Sequence, residues 1–466
     1  MRGSGERRRG SARTKRRQSK VLEQVNLYAA GIDVGATSHF VAVPEELDTQ
    51  PVREFAAFTG DLNRLADWLV EMGITTVAME STGVYWIPVF EVLEERGLEV
   101  LLVDARAVKN VPGRKTDVLD CQWIQQLHTH GLLRGAFRPP EAICALRAYL
   151  RQRDTLVRGA AAHIQHMQKA LTQMNLQLHH VVSDITGSTG MQIIRAILDG
   201  ERDPATLAGY RDPRCKNSPE TIARSLEGHY RQEHLFALRQ SLELFDFYQG
   251  QIAACDAGIE CQLAGFEARV DLERDPPPAP TRKRKKPRRH EPPFDLRTHL
   301  YRISGVDLTQ IDGVNATTAL KVIAEVGLDM ARWPTPKHFA SWLGLSPGNK
   351  ISGGKRISGR SKPSANRAAE ALRMAAQGLH NSQSALGAYL RRQKARLGAP
   401  KAITATAHKL AIVFYSMLRY GQPYVDAGAD YYEQQYQRRV MRNLRRKAHD
   451  MGFELVPADA RSTSSM

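Results

Sequence analysis

The chain has 466 residues, 42% of them hydrophobic, which leaves room for two or three domains and a sizeable core. Its formal charge of +17 is concentrated at residues 1–20 (+8), 281–290 (+7) and 438–447 (+6), so the rest of the chain carries about −4, and a polyanionic partner is favoured over solvated tails. No apolar run approaches a membrane span, no signal-peptide core follows the basic start, and Cys121, Cys144, Cys215, Cys255 and Cys261 have neither zinc nor disulfide spacing, which excludes a membrane protein and predicts a reduced, cytoplasmic one.

Residues 1–26 read as a basic disordered tail. Three strands joined by short turns follow at 28–34, 38–43 and 52–57. A helix over 60–72 carries Leu62, Leu65, Trp68 and Leu69 at helical spacing. Then come a strand at 74–79, a helix near 84–96 ending at Gly97, and a strand at 98–103. Three meandering strands followed by alternating helix and strand predict a mixed α/β sheet. Asp33 closes one apolar run and Glu80 closes another, while Asp117 and Asp120 open a helix three residues apart and share a face. If the fourth strand pairs beside the first, as in a ribonuclease-H-like (RuvC-like) fold, Asp33 and Glu80 become neighbours at one sheet end. Open α/β sheets place their sites there.

Clustered carboxylates repel one another unless a cation holds them, and hard oxygen ligands favour Mg2+ or Mn2+. Two such ions can clamp the attacking and leaving oxygens of a phosphoryl transfer. A plainer explanation stands beside this one: Asp33 and Glu80 as solvated strand ends, and Asp117 and Asp120 as first-turn carboxylates behind an N-cap at Thr116.

Apolar residues recur at helical period from Glu141 to Leu178, and a second long helix is predicted from Ser218 to Val270 with Pro219 near its start. The pair suggests an antiparallel coiled-coil hairpin. The proline-rich, basic stretch 275–293 reads as a disordered linker. Residues 308–327 hold a Gly turn before a helix. This is either a helix–Gly turn–helix unit offering backbone N–H groups to DNA phosphates or an ordinary helix start at Asn315. The segment 339–360 ends rich in Gly, Ser and basic side chains and reads as a flexible loop. Its hydroxyls fit a serine nucleophile, and equally a loop that only grips phosphate.

Taken together, these pieces resemble the DEDD-type insertion-sequence transposases, the serine-containing recombinases guided by a bridge or seeker RNA. The resemblance is carried by Gly-Ile-Asp-Val-Gly at 31–35, Met-Glu-Ser-Thr-Gly-Val-Tyr-Trp at 79–86, Val-Asp-Ala-Arg at 103–106 and Lys-Thr-Asp-Val-Leu-Asp at 115–120. Further on, Phe-Ala-Ser-Trp-Leu-Gly-Leu-Ser-Pro at 339–347 is followed by Ile-Ser-Gly at 351–353. It implies a ribonuclease-H-like catalytic domain over 27–137, a helical coiled-coil arm over 138–272 and a small, mainly α transposase domain over 298–430. The 1–26 tail and a linker over 273–297 have no counterpart in the family pattern, and 431–466 reads as a basic C-terminal tail.

By this resemblance Asp33, Glu80, Asp117 and Asp120 take the four metal positions, for Mg2+ (or Mn2+). Ser352 takes the position of the serine that joins DNA covalently, with Ser358 in a second Ser-Gly pair as the alternate. Lys350, Lys355, Arg356 and Arg360 would offset phosphate charge, or be ordinary solvated residues. The implied partners are double-stranded DNA at element ends and target, a structured non-coding guide RNA, and further copies in a homo-tetramer built through dimers. The serine of one protomer would complete the acidic site of another, in a bacterial, nucleoid-associated protein. The expected function is RNA-guided cleavage and strand exchange of an insertion sequence. Its rivals are a metal-dependent Holliday-junction resolvase or nuclease using water, which leaves the Ser-Gly loop without a role, and an actin-like kinase or ATPase, whose second phosphate loop is not found.

Overall fold

A computed structural model describes residues 23–81, 83–103, 116–280, 290–361 and 365–456. Most of the basic N-terminal tail, the basic linker run 281–289 and the stretch after residue 456 lie outside the described residues, as do residues 104–106 and Lys115 of the family pattern. The chain divides into two compact units after Arg138.

In the first unit β1 (Ala29–Val34), β2 (Ser38–Ala42) and β3 (Val52–Ala56) form an antiparallel meander. Beside β1 lie the parallel strands β4 (Thr76–Glu80) and β5 (Glu99–Val103), giving the order β3-β2-β1-β4-β5. The two-residue period of each strand sorts side chains onto two faces. Ala30, Ile32, Val34, Val77 and Met79 pack with Leu65 and Leu69 of α1 (Thr59–Glu71) and with Phe90 and Leu93 of α2 (Trp86–Glu95). On the opposite face Ala78 and Val103 pack against Ile124 of α3 (Asp117–Thr129). The mixed sheet with helices on both faces is consistent with the ribonuclease-H-like expectation.

The C-terminal end of α3 is tied to the sheet and to the incoming chain. Val25 and Asn26 donate backbone N–H groups to the Thr129 carbonyl at 2.7 and 3.0 Å. The buried imidazole of His128 meets the Thr76 hydroxyl at 2.9 Å.

In the second unit α4 (Glu141–Gln173) is followed by four short helices, α5 (Leu178–Val181), α6 (Ser188–Leu198), α7 (Pro204–Gly209) and α8 (Pro219–Ser225), and then by α9 (Gln232–Gly265). The long helices, each about 50 Å at 1.5 Å per residue, run antiparallel: Gly159 faces Tyr248 while Gly258 faces Tyr149. A buried ion pair, Arg153 Nε to Asp256 Oδ1 at 2.5 Å, bridges them. One continuous helix from Ser218 to Val270 is not what forms. Pro219 begins only the short α8, and the chain breaks over 226–231 because its backbone is claimed by the end of α4. Gln177 donates its N–H to Ser225 O at 2.7 Å, and His229 donates to Met174 O at 2.9 Å.

The rest of the second unit is mainly helical. It comprises α10 (Leu296–Ser304), a 3-10 turn (Leu308–Gln310), α11 (Ala316–Val326), α12 (Pro336–Trp342), the hairpin β6 (Lys350–Ser352) and β7 (Lys355–Ser358), α13 (Arg367–Gln377), α14 (Ala385–Leu397), α15 (Ala399–Tyr420) and α16 (Gly428–Asp450). Buried Tyr415 holds the aromatic group around Trp333 and Phe339 by donating its hydroxyl to Trp333 O at 2.7 Å.

One open alternative is decided here and two sequence expectations change. The Gly turn before α11 is preceded only by a 3-10 turn, and Gly313 packs against Ala375 O and Leu379, so it faces protein; Asn315 is the ordinary N-cap, accepting from Thr318 N at 2.8 Å. The expected flexible loop contains a paired hairpin. The expected basic tail is helical from Gly428 to Asp450.

Burial lowers the pKa of His128 below its ordinary 6.5, against a smaller opposing pull from Glu99. The unfolded chain then binds a proton near pH 6.5 that the folded chain refuses, so stability is full above that pH and falls as pH drops toward the folded pKa. The loss per group is at most about 1.4 kcal/mol per pH unit. Replacing His128→Gln, which keeps a hydrogen-bonding partner for Thr76, should flatten the decline in melting temperature between pH 7.5 and 5.5. Equal declines in both proteins would remove His128 from the account.

Candidate active site

Asp33 and Glu80 come together through strand register. β1 and β4 pair in parallel with Ile32 opposite Met79, so the next residue on each strand, Asp33 and Glu80, shares one row at the same sheet end. Both fall on the α3 face, since Ile32 and Met79 belong to the opposite one. Glu80 is buried and Asp33 half-buried. Immediately after Glu80, Ser81 donates both its N–H and its hydroxyl to Val103 O at 3.0 Å, which closes the ends of β4 and β5.

Helix α3 supplies the other two carboxylates. Thr116 caps it, its hydroxyl accepting from Leu119 N at 3.4 Å, and Asp117 and Asp120 occupy the first turn. The cap and the first-turn charges complement the helix N-terminus, so the plainer explanation of these residues holds as local structure. It also aims that turn at the sheet end, and the same positions serve both purposes.

What brings α3 so near is Gly31. A Cβ there would lie 2.8 Å from the Gln125 Cα and closer still to the Gln125 nitrogen and the Cys121 carbonyl oxygen. The helix therefore rests on the strand at backbone distance, with Cys121 buried beneath its first turn. The Cys121 thiol, which donates to Val118 O at 3.2 Å, is pushed up to about 12. Burial is the main cause, and the negative charges of Asp33 and Asp120 add to it. Two carboxylates from separate segments thus act on one thiol, while Asp117 is exposed at the rim.

Among the described residues no three His, Cys, Asp or Glu side chains are grouped as a ready metal site. Strand register sets Asp33 beside Glu80 at one end of the sheet and the first turn of α3 carries Asp120, without the three forming a cluster. The donor chemistry nevertheless fits a hard divalent cation, since all four positions offer carboxylate oxygen and none offers sulfur or imidazole.

Ser352 belongs to the second unit. It is the last residue of β6 and pairs with Lys355 across a two-residue turn, Gly353-Gly354, in which both glycines have positive φ (53° and 75°). This is the conformation that a tight hairpin of right-handed twist demands. Ser352 and Lys355 are exposed. Ser358 lies across from Lys350 and is half-buried, its hydroxyl accepting from Arg360 N at 3.3 Å. Arg356 lies opposite Ile351 in β7, and Arg360 is exposed just past the strand.

Sequence reasoning missed Gly31, Ser81 and Cys121 as parts of the site, and Ile351 and Ile357, which the hairpin leaves 66% and 68% exposed. A glycine inside an apolar strand was the available signal for the first of them, because such a glycine often marks a close backbone approach.

Two family models match the chain. One, a DEDD transposase model of the IS110 type described as transposase, matches residues 30–176; the other, described as transposase of the IS116/IS110/IS902 family, matches residues 307–391. The first match contains all four carboxylates and the second contains the hairpin. No curated protein matches the chain.

Substituting Gly31→Ala should cost about 1–3 kcal/mol, because the helix must lift from the strand. It should also expose Cys121 to iodoacetamide. In the unaltered protein at pH 8, Cys121 should stay unmodified while exposed Cys261 is labelled, as read by peptide mass spectrometry. A Gly31→Ala protein that melts like the parent and still protects Cys121 would show that the close packing is not needed.

Proposed function

We propose, for a chain that belongs to the IS110 family of DEDD transposases, that it cuts and rejoins DNA with Ser352 as nucleophile and with Asp33, Glu80, Asp117 and Asp120 as the metal-holding set. The enzyme is a transposase, and DEDD domains of this kind act on DNA and generally use divalent metals. The observation that carries the serine reading is the hairpin: Ser352 stands exposed at a glycine turn, next to Lys355, while the alternate Ser358 is half-buried and already bonded to Arg360 N.

The chemistry follows from these groups. The Ser352 hydroxyl attacks phosphorus, the bond from phosphorus to the leaving deoxyribose oxygen breaks, and the proton lost from serine ends on that leaving oxygen. The phosphoserine ester keeps the bond energy until a new strand end attacks it. Mg2+ bound by the four carboxylates would stabilise the charge that builds on the phosphate oxygens. Lys355 and Arg360 add positive charge from the protein side, as do Lys350 and Arg356 by their positions on the hairpin backbone.

The same reading makes the functional particle a homo-tetramer in which Ser352 of one copy serves the carboxylates of another, with the antiparallel helical hairpin as a coiled-coil arm of assembly. Its support is the apolar surface that Ile351 and Ile357 present beside the serine. Target choice falls to a structured guide RNA whose pairing reads the sequence while the protein grips backbone, and the basic runs at 1–20 and 281–290 supply charge for such polyanions. A protein of this kind resides on the nucleoid.

A serine nucleophile leaves protein attached to a DNA end, whereas water leaves none. Protein with its copurified RNA, Mg2+ and element-end DNA should give a species that survives denaturation and vanishes on proteinase treatment. Ser352→Ala should abolish it and Asp33→Asn should reduce it by about 100-fold or more, a loss of at least roughly 2.7 kcal/mol in barrier terms. Persistence of the adduct in Ser352→Ala would transfer the role to Ser358. Clean cutting without an adduct would favour the water-using resolvase.

A further inference from the structure

Helix α16 lies outside both family-matched segments. Its first turns are anchored: Tyr432 contacts Tyr389 edge-on at 6.1 Å, Glu433 pairs with Arg392, and the Arg392 guanidinium sits 3.4 Å from the centre of the Tyr436 ring. From Arg438 onward no residue of the helix is buried. Arg438, Arg439, Arg442, Arg445, Arg446 and Lys447 are all exposed, and the stretch from Gln434 to His449 contains no acidic residue.

The arginines are not spread around the helix. At 100° per residue, Arg438, Arg439, Arg442, Arg445 and Arg446 fall within a sector of roughly 120°. Val440, Met441, Leu444 and Ala448 fall on the opposite side. A solvated helix face normally interleaves the two signs and gains from Glu–Lys pairs at i,i+4. Here Arg438–Arg442 and Arg442–Arg446 set like charges at that spacing, which disfavours the helix unless an external anion neutralises them. Arginine is the side chain suited to phosphate, through paired N–H donors.

We infer that this arginine face of α16 is a sequence-independent clamp on the phosphate backbone of duplex DNA. The span from Arg438 to Arg446 is about 12 Å at 1.5 Å per residue, long enough to follow several phosphates of a duplex that carries one charge per roughly 1.7 Å of axis. Between Arg438 and Arg446 the face holds no Phe, Tyr or Trp on which an unpaired base could stack, which turns the choice toward duplex. Its contribution is to affinity and residence, with no part in bond breaking.

The test uses the full chain without divalent metal, a fluorescent duplex of arbitrary sequence, and binding measured from 50 to 300 mM KCl. Combining Arg438→Gln, Arg442→Gln and Arg445→Gln should lower the steepness of log affinity against log salt by about 2–3, since each lost phosphate contact removes roughly 0.9. The matching lysine triple should keep most of the slope, and both variants should retain the parent's helical circular dichroism. An unchanged slope in the glutamine triple overturns the inference. So does a slope that falls for double-stranded RNA but not for DNA, or a changed oligomeric mass with unaltered DNA binding, which would make α16 an interface between copies. Because no cleavage is scored, failure of the Ser352 adduct test leaves this measurement intact, and the reverse holds as well.

Discussion

A glycine in the middle of an apolar strand lets α3 lie on β1 with backbone against backbone, and the acidic end of the sheet depends on that contact. Gly31 sits on the same face as Asp33 and two residues before it, so any side chain there would lift the helix where its first turn must reach the strand end. Burial pushes up the Cys121 thiol beneath that turn, and the negative charges of Asp33 and Asp120 add to the shift. The thiol answers by staying neutral. A buried neutral thiol adds no charge beside Asp33 and Asp120, and the packing of α3 on Gly31 sets the depth of Cys121.

In the second unit the long helix α4 is common property. It pairs with α9 through the buried Arg153–Asp256 bridge, and it also holds the C-terminal helices. Arg147 donates to the last carbonyls of α11, Ala324 O at 2.9 Å and Glu325 O at 3.0 Å, where a cation complements the negative end of a helix. Arg151 reaches the Glu325 carboxylate at 3.0 Å and Lys321 reaches Asp154 at 3.0 Å. Arg153 also donates to His290 O at 3.1 Å, tying the segment beyond the basic run back to α4. The first family match ends at residue 176, near the end of α4, although the contact boundary falls at Arg138. The family match and the packing of the chain thus cut it at different places, with α4 as the piece they divide differently.

Much of the first unit was legible because its signals are local and agree with one another. Alternating apolar strands, the Leu62–Leu65–Trp68–Leu69 stripe and Gly97 place the five strands, α1 and α2 to within about two residues, whereas for α3 only the start is marked. Carboxylates at run ends became neighbours once the fourth strand was set beside the first. The second unit was harder for physical reasons. A helical pattern continued through Ser218–Arg231, but backbone hydrogen bonds to the end of α4 outweighed it, and no periodicity reports such a competitor. The basic end of the chain looked like a tail because lysine and arginine runs are soluble whether or not they fold. What folds it is the aromatic and ionic anchoring of Tyr432, Glu433 and Tyr436 on α14, residues lying before the charged run. Carboxylate order was readable; their failure to close as a ready metal site was not, since it depends on atomic distances that spacing does not encode.

The hairpin that bears Ser352 gives no strand signal in the sequence because its strands are three and four residues long and its two isoleucines face water. A pattern that buries neither face gives no core signal, and only the Gly-Gly pair between Ile-Ser and Lys-Arg-Ile marks the turn. A lone two-stranded ribbon is marginal in water. Its register is held at the base by Gly348 N donating to Arg360 O at 3.0 Å and by a bridge between Pro347 and Ser361. Burying Ile351 and Ile357 against another surface would remove apolar area from water at about 25 cal/mol per Å2 and fix the tip as it did so. On the proposed reading this links two events in one step: the surface that completes the site also rigidifies the residue that uses it. A serine whose geometry is set only by docking is a poor nucleophile beforehand, and a transposase that cuts before its partners are in place would leave broken DNA that no second strand can repair.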